Sequence, residues 1–282
     1  MDHPARMHLA ARNAARHNAL MWLYEVPIAI AMPLFVALFI GISLLIVIAL
    51  RKWVPRTGDG ANEWDRVLGY AMASYGVLYG VTLALIAAAS YENYRGVEEI
   101  VLQETSAISV LYRDAAGFPE PTSTELKSLL VEYTDHVISV DWVSQAGGVL
   151  PSHTSKQATE IAEVLFSFEP ANESEANLHL ATITAFNDFI GDRGARIGAT
   201  AQEIPPILWL VLYTGALINA VLIGLVEVGR LRIHLTMAGL VAAFVGIVIF
   251  AIASFDHIYM GEVAIDTTLF EELRNALLMK NG

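Results

Sequence analysis

The chain has 282 residues, 55% of them hydrophobic and 16% charged, with a mean hydropathy of +0.50; it is too apolar for an ordinary soluble domain and fits a polytopic membrane protein. No cysteine is present, so disulfides, thiolate metal sites and cysteine nucleophiles are excluded. The formal charge of −12 resides in residues 91–204, which hold 18 Asp and Glu against 6 Lys and Arg; this argues against nucleic acid and anionic lipid as partners and favours cations or basic proteins.

Residues 1–26 carry Arg6, Arg12 and Arg16 with His3, His8 and His17 in an Ala-rich stretch, predicted as a polar helix at the membrane surface. No small-residue cleavage site closely follows the first apolar run, so the stretch is expected to stay in the mature chain. The first span is predicted from Pro27 to Leu50, closed by Arg51 and Lys52, with Pro33 near its start where a lost hydrogen bond is tolerable. Residues 51–66, with Pro55, Gly58 and Gly60, predict a loop bracketed by Trp53 and Trp64 as interfacial anchors.

From Val67 to Ala115 no proline interrupts the chain, and one long helix is expected. Its first half, VLGYAMASYGVLYGVTLALIAAAS, is uncharged and long enough to cross a bilayer, and its second half is amphipathic and Glu-rich. At 1.5 Å per residue the helix would reach on the order of 70 Å, so about half of it must lie beyond the hydrocarbon.

After the turn GFPEPTS, the run TELKSLLVEYTDHVISVDWVS predicts a helix with Leu126, Leu130, Tyr133, Val137 and Val140 on one stripe. A shorter helix over residues 154–167 and a longer one over 174–202 follow. The third and fourth spans are predicted over 205–227 and 235–255, joined only by GRLRIH. The tail, residues 256–282, reads as an irregular piece and a short amphipathic helix from Thr268 to Met279.

The expected fold is all-α. Residues 27–90 supply transmembrane helices 1 and 2, residues 205–255 supply helices 3 and 4, and residues 91–204 form a helical extramembrane bundle inserted between spans 2 and 3. Four spans would put both termini and the acidic bundle on one side. Basic residues in the short loops outnumber those in the tails by only 6 to 5, which leaves the sidedness open.

Glu104 is the most informative single residue. Val97, Val101, Ile108, Leu111 and Ala115 recur at helical spacing, and Glu104 falls on that same apolar face. A carboxylate there needs a partner, expected to be Arg113, Arg193, Arg196 or a Tyr or Trp of the next helix. Asp141, beside Trp142, lies next to the stripe of the following helix. If the two helices form a hairpin, Glu104 and Asp141 could hold a divalent cation such as calcium through oxygen; separate structural carboxylates are the alternative.

In the second span Ala73, Gly76, Gly80 and Ala84 follow the small-residue spacing that lets helices approach closely. Tyr70, Ser74, Tyr75, Tyr79 and Thr82 occupy other faces and are candidates to line a pore. Asn219 and Glu227 of the third span are the other intramembrane polar groups, and Glu227, near the interface beside Arg230, reads as a paired anchor rather than a conduction site. No phosphate-cradling loop, metal-ligand spacing or nucleophile elbow is present, so an enzyme is not expected.

Five patterns in order carry a family resemblance: YGVLYGVTLAL, QETSAISVLYRDAAGFPEP, LLVEYTDHVISVDW, PPILWLVLYTGALI and FDHIYMGEV. Through them residues 27–275 resemble a bacterial family of four-span membrane proteins labelled bestrophin-like. Glu104-Thr105 stands where the family typically has Glu-Ala, and Asp141-Trp142 where it has Glu-Trp. Arg113, Pro119, Asp256 and Gly261 match, whereas a Pro-Phe pair after the fourth span is absent. The resemblance implies membrane helices that continue into a domain outside the bilayer, and kinship with pentameric anion channels. No bestrophin pore-neck or calcium-clasp motif is matched.

Two functions follow as expectations. The first is a homo-oligomeric ion channel of the bacterial inner membrane, handling inorganic ions, with a pore lined by the second span and an acidic vestibule that attracts cations. The second is a non-conducting membrane scaffold or sensor whose acidic bundle docks a partner or a cation.

Overall fold

A computed structural model of the chain describes residues 22–53, 59–152 and 155–279. Every regular element among the described residues is helical. In chain order these are α1 (Trp22–Glu25), α2 (Ile28–Leu50), α3 (Asp59–Ala115), α4 (Thr122–His136), a π-helical turn (Val137–Asp141), α5 (Trp142–Ala146), α6 (Lys156–Ser167), α7 (Glu173–Ala199), α8 (Pro206–Gly224), α9 (Leu231–Ser254) and α10 (Thr268–Met279). The helix expected over residues 1–26 lies outside the described residues apart from α1.

Among the described residues four helices are long and apolar enough to cross a membrane: α2, α3 over Glu63–Ala115, α8 and α9. The chain divides into two compact units. One comprises Met1–Glu92 with Glu203–Asp256, the other Asn93–Gln202 with His257–Gly282.

The long helix, the last span and the α4–α5 junction differ most from their expected forms. The long helix starts at Asp59 rather than Val67, because nothing after Pro55 must stop a helix, and Trp64 pins the early turns by donating its indole N–H to Leu225 O at 3.1 Å. The last span starts at Leu231, four residues earlier than expected. His234 is therefore a buried helical residue whose Nε2 lies 2.8 Å from Ile223 O at the end of α8. The third difference is the π turn. There the Trp142 N–H reaches Val137 O, five residues back, so the inward position after Val137 is Asp141 and not Val140. Val140 is 47% exposed.

In the first unit α2 packs along α9 and α8. Phe35, Leu83, Ile86, Leu212, Ile249 and Phe250 form its core. The first half of α3 is fixed to α8 by two stacked tyrosines, whose ring centroids are 5.6 Å apart. Tyr79 donates its hydroxyl to Leu212 O at 2.8 Å, and Tyr75 donates to Gly215 O. Both bonds reach main-chain carbonyls of a helix. They are available because Gly215 carries no side chain where the Tyr79 ring lies.

In the second unit α4 packs on α6 and α10 around Val101, Ile108, Leu126, Leu130, Leu165, Phe189 and Phe270. Each such side chain, moved from water into the core, contributes about 1.5–3 kcal/mol. Side chains cap the N-termini of α6 and α7. Ser155 accepts from Ala158 N, and Asn172 accepts from Glu175 N at 3.0 Å while Glu175 accepts from Ala171 N at 2.8 Å, a reciprocal cap.

A methyl group at position 215 would fall on the Tyr79 ring. Gly215→Ala is expected to lower stability by about 1–3 kcal/mol, seen as a lower thermal midpoint of the detergent-solubilised protein. Gly191→Ala on α7, where nothing lies within 4 Å, is expected to leave that midpoint unchanged or slightly raised.

Candidate functional site

The second unit is organised around Arg196, which is fully buried at 0% exposure. On α7 the inward positions are Thr182, Phe186, Phe189, Arg193, Arg196 and Ile197, so this arginine sits on the apolar face of its helix. Facing it are Glu104 of α3, also 0% exposed, Tyr133 of α4, Asp141 at the end of the π turn and Gln145 of α5.

The guanidinium is held from three sides. Its Nε donates to Glu104 Oε2 at 2.6 Å, Nη1 to Gln145 Oε1 at 2.6 Å and Nη2 to Asp141 Oδ2 at 3.2 Å. Tyr133 donates its hydroxyl to Glu104 Oε1 at 2.5 Å. Gln145 in turn donates to Thr200 Oγ1 at 2.8 Å, and the main-chain carbonyl of Arg196 accepts from the Tyr259 hydroxyl at 3.1 Å. The rings of Trp142 and Phe270 lie 5.8 and 5.6 Å from the guanidinium carbon.

Burial alone would lower the Arg196 pKa, but the charge of Glu104, with Tyr133 and Asp141 behind it, holds it above its ordinary value. Burial, then the charge of Glu104, pushes the Tyr133 hydroxyl well above its ordinary value, so it remains a donor.

Glu104 and Asp141 do converge, and the cation between them is the Arg196 guanidinium. Among the described residues no group of three His, Asp or Glu could hold a metal ion. Asp141 also has His136 Nε2 3.6 Å from its Oδ1, an i,i+5 pair that the π turn aligns. Of the basic residues expected to meet Glu104, Arg113 is exposed beside Asp114, and Arg193 is buried and donates to Ser152 O at 3.0 Å. Gln145 and Tyr259 were missing from the sequence reading. Arg196 is one of the three arginines offered there, although its spacing from Phe186 and Phe189 already puts it on the buried face.

The candidate pore residues fall into two groups. Tyr75 and Tyr79 bond to α8, and Tyr79 is buried. Tyr70, 72% exposed, and Ser74 point away from their own unit, and Thr82 is half-buried and donates to Leu78 O. Ala73, Gly76, Gly80 and Ala84 are all exposed within the chain. A second polar feature is a surface cleft of about 640 Å³ between α3 and α7, lined by Glu99, Gln103, Ser106, Asn187, Asp188 and Asp192 among others.

Helices of this length and composition, with a second all-helical unit, define an all-helical membrane protein. The Bestrophin-like domain matches residues 37–270, most of the chain, and the chain belongs to that family. Its fold is similar to the crystal structure of a mutant bacterial Bestrophin homolog from Klebsiella pneumoniae, with a TM-score of 0.61 and 13% identity, covering 88% of this chain and 99% of that one. Two crystal structures described only as membrane protein variants have TM-scores of 0.54 and 0.51 at 13% identity, covering 88% and 89% of this chain and 97% and 98% of theirs. At that identity the likeness is one of fold. No curated protein sequence matches the chain.

Removing one partner of a buried ion pair leaves the other charge uncompensated. Glu104→Ala and Arg196→Met are each expected to cost about 3–5 kcal/mol, measured as loss of thermal stability, with Glu104→Gln milder because it can still accept from Tyr133. Burial, then the charges of Glu104 and Asp188, raises the Asp192 pKa above its ordinary value. With a folded pKa above its unfolded one, Asp192 costs stability as the pH rises through the folded value. Asp192→Asn should therefore raise the thermal midpoint at neutral pH, and the gain should vanish below about pH 3.9, where the carboxyl is protonated in either state.

Proposed function

We propose that the protein is a homo-oligomeric ion channel of the bacterial inner membrane, passing inorganic ions through a pore lined by the outward face of α3. What carries this reading is the uncovered side of that helix. Tyr70, Ser74, Val77 and Val81 are exposed, as are Ala73, Gly76, Gly80 and Ala84. A ring of copies would cover the small residues by close helix approach and leave Tyr70, Ser74 and their neighbours on the axis. Tyr75 and Tyr79 would then support the pore wall from behind, through their bonds to α8.

In this reading residues 91–204, with the tail 256–282, form the extramembrane bundle and an acidic vestibule. The cleft with Glu99, Asp188 and Asp192 supports a preference for cations, since a negative surface concentrates cations and repels anions. Glu104 and Asp141 serve as structural carboxylates behind that surface.

Two measurements test the reading together: subunit count in a gentle detergent, and ion flux from proteoliposomes. A ring of four or more copies with a cation-selective flux is expected. Gly80→Leu should break the ring while leaving the helix content intact, and Asp188→Asn with Asp192→Asn should move the reversal potential in a salt gradient toward zero. A monomer that passes no ions would instead favour a non-conducting scaffold or sensor that docks a partner through its acidic bundle.

A further inference from the structure

The membrane helices of the first unit enclose a recess that the packing described above does not use. It holds about 230 Å³ between α2, α8 and α9, and its lining includes Phe39, Ser43, Tyr213, Leu217, Asn219 and Val245. Hydrocarbon side chains dominate; none of the described residues that line it is charged, and the polar ones are Ser43, Asn219 and Tyr213.

Two of these groups are left unused by the fold. Hydroxyls elsewhere in the helices bond back one turn: Thr82 to Leu78 O, Ser90 to Ile86 O and Thr236 to Arg232 O. Ser43 does not. Its Oγ is buried and has no hydrogen-bond partner among the described residues. Asn219 is half-buried and its amide bonds to no described group. Ser43 stands seven residues before the end of α2 and Asn219 five before the end of α8, roughly 10 and 8 Å inside the helix ends. At that depth a polar group without a partner is costly, and a polar residue inside a membrane segment points to a function.

We infer that the recess binds a single-chain amphiphile drawn from the bilayer: one hydrocarbon chain ending in one uncharged hydroxyl or carboxylic acid group. Such a head both donates and accepts, which matches an amide and a hydroxyl that each do the same. The Ser43 Oγ is buried beside the recess, and meeting the head takes a turn about χ1. The absence of a charged lining residue disfavours a phosphate or an ammonium head. The volume suits about seven heavy atoms at ~30 Å³ each, the head and first methylenes of a chain whose remainder lies along the exposed apolar flank. This inference requires only that α2, α8 and α9 lie in a membrane, so it stands or falls independently of conduction.

The test is photolabelling of the reconstituted protein with an alkanol carrying a diazirine, followed by mapping of the adducts. Adducts on α2 and α8 at the recess are expected, with 1-hexanol competing and hexane not. Asn219→Leu should lower labelling about tenfold, the weight of one hydrogen bond, and Ser43→Ala should lower it less. Thermal midpoints verify that both variants fold; should Asn219→Leu fail, Ser43→Ala carries the comparison. Adducts elsewhere, equal competition by hexane, or unchanged labelling of a folded variant would overturn the inference. So would a disulfide between two copies of Asn219→Cys. In a chain without native cysteine, that bond would mark the recess as a seam between subunits.

Discussion

The guanidinium of Arg196, sealed between two carboxylates, is the constraint on which the second unit depends. Glu104, Asp141 and Gln145 come from three separate helical segments, and each directs its acceptor at a different nitrogen of one planar group. Burying these charges carries a desolvation cost that their mutual attraction offsets only in the right geometry. The cluster is therefore better understood as a device for register than as a source of net stability. Sliding α3 or α7 by one residue would turn Glu104 or Arg196 out of the core and leave the opposite charge alone. The Tyr259 hydroxyl extends the same constraint to the C-terminal segment by bonding the main chain of Arg196.

The π turn makes the third corner of the cluster. A regular helix continuing the stripe of Leu126, Leu130, Tyr133 and Val137 would have put Val140 inside and Asp141 to one side. Inserting one residue into the turn reverses those positions, placing Asp141 against Arg196 and His136 against Asp141. Such a turn wastes backbone hydrogen-bond geometry and persists where the side chains it aligns repay the distortion. This explains why part of the site was legible in sequence and part was not. Glu104 interrupts a regular apolar face and announces itself. Asp141 was visible only as a neighbour of the stripe, because a 3.6-residue period carries no sign of an inserted residue.

The membrane helices were legible for a different reason and to a different depth. Length and apolar composition mark α2, α8 and α9 to within a few residues. Composition does not say which face turns inward, since lipid is as apolar as a helix neighbour. Small residues suggested packing and tyrosines suggested a wet surface. Within the chain, two of the tyrosines pack instead. Tyr75 and Tyr79 are the interhelical contact, through carbonyls that only a glycine at 215 leaves accessible, and Gly76 and Gly80 meet nothing within 4 Å. The relevant signal lay in the pairing of a tyrosine on one helix with a glycine on another, which no single-helix pattern contains.

The charge of residues 91–204 also changes meaning once burial is known. The count of 18 acidic and 6 basic residues includes Glu104, Asp141, Arg193 and Arg196, all buried. Outside the core this leaves 16 acidic and 4 basic side chains, a steeper imbalance than the sequence count suggests. Three of those four bases sit beside an acid: Arg95 by Glu98, Arg113 by Asp114 and Lys156 by Glu160. Little positive charge is therefore left to blunt the field. That field is nonetheless local, fading over about 8 Å at physiological ionic strength. It can gather cations at the surface of this unit, but it cannot discriminate among ions deeper in a membrane.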